Sequence, residues 1–134
     1  MFRHRVGGPA ESKWDSDTGV LISEVYRAYD LLHRIDGPAE IRRDRSSGEV
    51  ISETWAVDGN NHRPDDKPAY WVKDAVTGIV TQEEYWVNGA LHRDAGPALI
   101  IRNPQSGAVT QTLYYRDGQN FDPAPPSPDL APGM

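Results

Sequence analysis

A repeat of 29–30 residues constrains this chain more than any other feature of its sequence. The dipeptide Pro-Ala recurs as Pro9-Ala10, Pro38-Ala39, Pro68-Ala69 and Pro97-Ala98. Ten residues after each proline stands a glycine (Gly19, Gly48, Gly78, Gly107), and seven residues later an aromatic (Tyr26, Trp55, Tyr85, Tyr114). Five residues after the glycine come Glu24, Glu53 and Glu83, with Thr112 in the last copy. His-Arg precedes each proline: His4-Arg5, His33-Arg34, His62-Arg63 and His92-Arg93. All 4 histidines of the chain occupy this single repeat position. Periods of this length mark arrays in which each copy is one supersecondary unit.

The unit reads as a β-hairpin. Its first arm follows the Pro-Ala step, as in Ala39–Arg43 or Ala98–Arg102, and its turn is rich in Ser, Asn, Thr and Gly. The second arm, Val50–Val57 in the second copy, is filled with β-branched and aromatic residues and ends at Asp58-Gly59. Asn88-Gly89 and Asp117-Gly118 repeat that tight-turn ending. A hairpin cannot bury its own apolar face, so the copies must stack. The expected fold is all-β: an elongated antiparallel β-meander or solenoid of four stacked hairpin repeats, with about eight strands. The repeats lie near 4–31, 32–60, 61–90 and 91–120, in one domain over 1–120. Residues 122–134 hold five prolines and read, with Phe121, as a flexible proline-rich tail over 121–134.

Composition excludes several functions. The chain has 134 residues, no cysteine and a formal net charge of −6. Disulfides, thiolate catalysis and cysteine zinc sites are therefore ruled out. The acidic balance disfavours nucleic acid and anionic membranes as partners. No apolar run approaches the roughly 20 residues of a transmembrane helix, and no signal peptide opens the chain, so a cytoplasmic location is expected.

The stretch Glu84-Tyr85-Trp86-Val87-Asn88-Gly89-Ala90-Leu91-His92 resembles the MORN repeat, with Trp86, Gly89 and His92 at the family's spacing. In the second copy Gly59 and His62 fit, while Ala56 stands at the tryptophan position and Trp55 one residue early. The wider pattern His-Arg-x-x-Gly-Pro-Ala resembles a longer-period MORN variant of bacterial, phage and giant-virus proteins, and covers residues 4–120. It departs from standard MORN repeats in its longer period and in Arg-x-x-Gly-Pro after the histidine. The resemblance implies a single-layer sheet of hairpins with a binding or scaffold role, and carries over no catalytic residue.

The candidate residues follow from the rows the repeat creates. Tyr26, Trp55, Tyr85 and Tyr114 form an aromatic row, and Glu24, Glu53 and Glu83 an acidic row on the same face. Equivalent residues of successive hairpins lie about 10 Å apart. His4, His33, His62 and His92 therefore cannot share an ion whose ligands sit at about 2.0–2.1 Å. Their expected role is to tie loops to neighbouring backbone, with no metal and no cofactor. Arg5, Arg34, Arg42, Arg43 and Arg45 make the best anion-binding patch, set against the reading of a solvated face that protects strand edges. Trp14, Trp71 and Trp86 fall outside the aromatic row and are candidate contact anchors.

No phosphate-binding glycine loop, nucleophile elbow or His-Glu-x-x-His motif occurs. The expected function is a non-enzymatic protein-binding module. Its sharper form, which leans on the family resemblance, is a small phage or bacterial inhibitor of a host protein complex, acting in the host cytoplasm. The alternative is a binder or sponge for a small anionic ligand such as a nucleotide. Open strand edges further lead us to expect a homodimer.

Overall fold

The computed structural model describes residues 9–123; His4, Arg5 and the tail from 124 onward lie outside them. The described chain is all-β and antiparallel. Four long hairpins follow one another: β1 (Glu11–Trp14) with β2 (Leu21–Val25), β5 (Glu40–Arg43) with β6 (Val50–Thr54), β9 (Tyr70–Lys73) with β10 (Val80–Glu84), and β13 (Leu99–Arg102) with β14 (Val109–Arg116). Between them sit short two-residue-armed hairpins: β3 (Arg27–Ala28) with β4 (Leu31–Leu32), β7 (Ala56–Val57) with β8 (Asn60–Asn61), and β11 (Trp86–Val87) with β12 (Ala90–Leu91). A last strand, β15 (Gln119–Phe121), pairs with the end of β14 and carries Phe121, the first residue read as tail, into the sheet. The long strands make one nine-stranded sheet in the order β1-β2-β5-β6-β9-β10-β13-β14-β15. The expectation of about eight strands thus misses the short hairpins: there are 15 strands among the described residues.

Each long hairpin is irregular at one equivalent place. The register slips between Lys13 and Trp14, Arg42 and Arg43, Val80 and Gln82, and Ile101 and Arg102. Ile22, Ile51, Thr81 and Thr110 are the extra residues on the second arms. A bulge of this kind bends the strand and increases its twist.

The four hairpin turns share one chemistry. The carboxylate of Asp15 accepts the N–H groups of Asp17 and Thr18, each at 2.9 Å, and Asp44 and Asp74 repeat the pattern. In the fourth copy the Asn103 amide oxygen takes their place. Backbone donors lower the pKa of all three aspartates, most strongly from Thr18, Ser47 and Thr77.

Pairing fixes the faces. Ser12, Glu24, Ile41, Glu53, Trp71, Glu83, Ile100 and Thr112 stand opposite one another strand after strand, in a single row across the sheet. Two residues along on the same face lie Ala39, Ala69 and Ala98, all fully buried, and the aromatic row. The clearest core is Tyr85, Ala98 and Ile100, with Leu91 and Tyr115 against it. No large side chain is completely buried among the described residues.

The short hairpins turn on left-handed residues. Asp58-Gly59, Asn88-Gly89 and Asp117-Gly118 each combine a φ near 50° with a glycine at 80–83°, the geometry that Asp-Gly and Asn-Gly adopt best. The first copy puts Tyr29 and Asp30 there, at 51° and 66°. A side chain with a Cβ is disfavoured in this region. Asp30→Gly should therefore raise stability by about 0.5–1 kcal/mol, read as an upward shift of the thermal midpoint. An unchanged or lower midpoint would show that the aspartate is not strained.

Candidate interaction surface

The loops after each short hairpin fold back over the aromatic row. Arg34 lies with its Cζ 3.9 Å from the centre of the Tyr26 ring, Arg63 3.9 Å from Trp55, and Arg93 3.8 Å from Tyr85. Each guanidinium also donates to the carbonyl of its own loop proline, Pro38, Pro68 or Pro97. Stacking of this kind contributes about 0.5–2 kcal/mol, more when the cation is desolvated. Burial lowers the pKa of Arg63. Burial is also the largest single influence on Arg93, but the bond to Asp66 at 2.8 Å and the charges of Tyr85, Asp66 and Glu83 together outweigh it and raise the pKa. A Cβ at Gly37 would meet the Arg34 Cζ at 2.8 Å, so a larger residue there must push the guanidinium aside. The last copy closes differently. Phe121 stands at the histidine position and packs edge-on against Tyr114 with ring centres 5.9 Å apart.

The histidines hold consecutive copies together. The Nδ1 of His33 accepts the N–H of Asp58, that of His62 the N–H of Asn88, and that of His92 the N–H of Asp117, each at 3.0 Å. The donors are the left-handed turn residues of the following copy. The next glycine donates as well, Gly59 to the Leu32 carbonyl, Gly89 to Asn61 and Gly118 to Leu91. From the second copy onward each such turn is thus bonded to the short hairpin before it, in a second ladder beside the main sheet. Among the described residues no group of three or more His, Asp or Glu is placed to hold a metal ion. His62→Ala should cost about 1–2 kcal/mol, because the Asn88 N–H loses its acceptor. A chelator should leave the melting temperature unchanged; a chelator-sensitive transition would overturn this role for the imidazoles.

The arginines Arg42, Arg43 and Arg45 are each paired with a carboxylate. Arg42 and Arg43, neighbours in β5, point to opposite faces. Arg42 pairs with Glu40 at 3.0 Å, Arg43 with Glu24, and Arg45 with Asp15 at 2.6 Å. All three line one open groove of about 560 Å³ with Lys13 and Asp44, but each already faces a carboxylate. The carboxylate row is occupied too. Glu53 accepts the indole N–H groups of Trp55 and Trp71, each at 3.0 Å, and Glu83 takes the Tyr85 hydroxyl and Arg102. Of the nearby aspartates, Asp36 pairs with Arg34 at 3.3 Å. Arg93 instead takes Asp66 of the preceding loop, while Asp94 lies 3.8 Å from Arg116.

The other face of the sheet divides along its length. Its first half carries Lys13, Ser23, Glu40, Arg42 and Ser52. Its second half carries Tyr70 and Val72 from β9, Leu99 and Ile101 from β13, and Leu113 from β14, all half-buried. Between these strands Glu84 accepts the Gln82 amide at 2.6 Å and the Trp86 indole N–H at 2.9 Å. Of the three tryptophans outside the aromatic row, Trp14 alone is exposed, at 58%, on the outer strand β1. No helix among the described residues is long and apolar enough to cross a membrane. A scan against protein-family models, a search of curated proteins and a search of solved structures each return no match.

Proposed function

We propose that the chain is a non-enzymatic protein-binding module, an elongated solenoid-like stack of four MORN-like repeats working in the cytoplasm. The observation that carries this reading is the divided face. Tyr70, Val72, Leu99, Ile101 and Leu113 offer apolar contact area beside a hydrogen-bonded Gln82–Glu84–Trp86 group. A half-buried apolar face whose central polar groups are already hydrogen-bonded to one another can be covered by a partner without stranding a donor or acceptor. The charges, by contrast, are spent on one another. An anionic ligand in the groove of Arg42, Arg43 and Arg45 must first displace Glu40, Glu24 and Asp15. That weighs against the nucleotide-binding alternative. The narrower reading, a small phage or bacterial inhibitor of a host complex, rests on the family resemblance.

The test is affinity capture with the full chain and the double variant Val72→Lys, Ile101→Lys, both checked for strand content by circular dichroism. Capture of a partner by the parent and not by the variant supports the reading. Equal capture by both, or tight nucleotide binding abolished by replacing Arg42, Arg43 and Arg45, overturns it. The reading includes a homodimer that buries the exposed Trp14 side chain and leaves the protected β1 backbone edge unpaired. Light scattering should then give twice the 14.9 kDa of one chain, falling to one chain on Trp14→Glu.

A further inference from the structure

The two outer strands of the long sheet are not alike. β1 is built as a protected edge: Glu11 and Lys13 flank Ser12, and Pro9 precedes them. Charges and prolines of this kind discourage a further strand from pairing. The outer side of Val109–Leu113 in β14 has none of these. It reads Val-Thr-Gln-Thr-Leu, and its first four residues are exposed, Val109 at 54%. Among the described residues no strand pairs with that side.

The other three copies show what such a strand receives. The second arms β2, β6 and β10 each take the next first arm, β5, β9 and β13, in antiparallel register. All three of these covered arms carry a glutamate at the central position: Glu24, Glu53 and Glu83. In β14 that residue is Thr112. The one open arm has therefore lost the charge that the covered arms keep, the reverse of edge protection. Ala98 donates its N–H to the Leu113 carbonyl, so Leu113 faces β13. Strand alternation then directs the N–H and C=O of Thr112 outward.

We propose that the outer edge of β14 binds an extended segment of a partner protein by antiparallel strand addition. The interior copies define its chemistry. The residue opposite Thr112 is apolar, as are Ile41, Trp71 and Ile100, and the residue two before it is small, as are the buried Ala39, Ala69 and Ala98. The segment needs no cation, because the glutamate that Arg43 and Arg102 answer in covered copies is absent. A second copy of this chain fits poorly. Its β1 would bring Ser12 to the apolar position and set Glu11 opposite Leu113. The tail is ill suited as well, since prolines interrupt the donors that strand addition needs. This inference deepens the protein-binding reading, and the added strand would run along the apolar half of the sheet.

The experiment uses the full chain and an acetylated, amidated peptide with the sequence of residues 96–103. Amide chemical shifts should move along Val109–Tyr114 on titration. Thr112→Pro removes one outward donor at an edge position that tolerates proline. It should keep the circular dichroism spectrum and weaken the peptide at least tenfold. A peptide with Trp at the Ala98 position should fail equally. Peptide binding indifferent to Thr112→Pro, or shifts confined to β1, would overturn the inference, as would no binding at all. If Thr112→Pro instead lowers the oligomeric mass in light scattering, the occupant is a second copy and the assignment to a partner is wrong. Partner capture that survives Thr112→Pro removes the edge from the function while leaving the protein-binding reading standing. Peptide binding without any captured partner does the opposite.

Discussion

Tyr85→Ala costs the fold about 3–5 kcal/mol, the largest loss expected from any single substitution in this chain. The ring is 7% exposed and packs with Ala98, Ile100, Leu91 and Tyr115. Its upper face carries the Arg93 guanidinium at 3.8 Å, and its hydroxyl donates to Glu83 at 3.0 Å. Truncation therefore opens a cavity, removes the surface under a half-buried cation and frees one acceptor of Glu83. Tyr85→Phe isolates the last contribution and should cost about 1 kcal/mol. Arg93→Ala should cost less in the Tyr85→Ala background than in the parent, by roughly 1 kcal/mol, because the stacking is already gone. Urea unfolding of the four proteins decides it. Equal effects of Arg93→Ala in both backgrounds would show that the two side chains act independently.

The same residue sets the alkaline limit. Burial, with Glu83 beside it, pushes the Tyr85 phenol up to about 12 from the usual 10. The folded state therefore holds the proton longer than the unfolded chain. Its contribution is fully present below pH 10 and is lost as pH rises through 12. Absorbance titration should show one of the six tyrosines ionising well after the rest. Ionisation of all six together would mean that Tyr85 is exposed in solution.

Why was so much of the fold legible? The period, the two arms and the all-β class are written in local chemistry. Pro-Ala opens each first arm, β-branched residues fill both arms, and glycine closes each turn. The short hairpins were hidden because arms of two residues cannot display alternation. Asp58-Gly59 therefore reads as the end of a strand, although it is the turn of a second hairpin. The bulges at Ile22, Ile51, Thr81 and Thr110 left no mark in composition, and they decide which residues of the second arm share a face. Asp15, Asp44, Asp74 and Asn103 did leave a signal, four residues before each glycine, and it passed unread. The partners of the arginines are hidden for a different reason. Arg93 pairs with Asp66, supplied across the boundary between copies, and not with Asp94 next to it in the chain, so the partner does not show in local sequence. Arg42 and Arg43 line one groove, yet as neighbours in a strand they reach different carboxylates, Glu40 and Glu24.

Ile100→Ala and Ile41→Ala stand at equivalent positions and should nevertheless differ. Both side chains are nearly buried, at 8% and 9% exposure. Ile100 lies in the cluster of Tyr85, Ala98, Leu91 and Tyr115, whose rings cannot easily collapse into the space it leaves. Ile41 lies in the row between Glu24 and Glu53, where long polar side chains and water can fill the gap. The expected costs are about 4 kcal/mol for Ile100→Ala and about 2 kcal/mol for Ile41→Ala, the spread that collapse of the site allows. The two positions are four strand spacings apart, about 19 Å, so they share no partner. In a sheet that unfolds as one unit their effects add, to within about 0.5 kcal/mol. In a stack whose copies are joined only by neighbour contacts, weakening both ends uncouples them, and unfolding spreads over more than one transition. The ladder of His33, His62 and His92 with the next turn backbone bonds every described pair of neighbouring copies. Additive costs and a single urea transition are therefore expected in the double variant. Two resolved transitions would show that these bonds do not suffice to make the four copies cooperative.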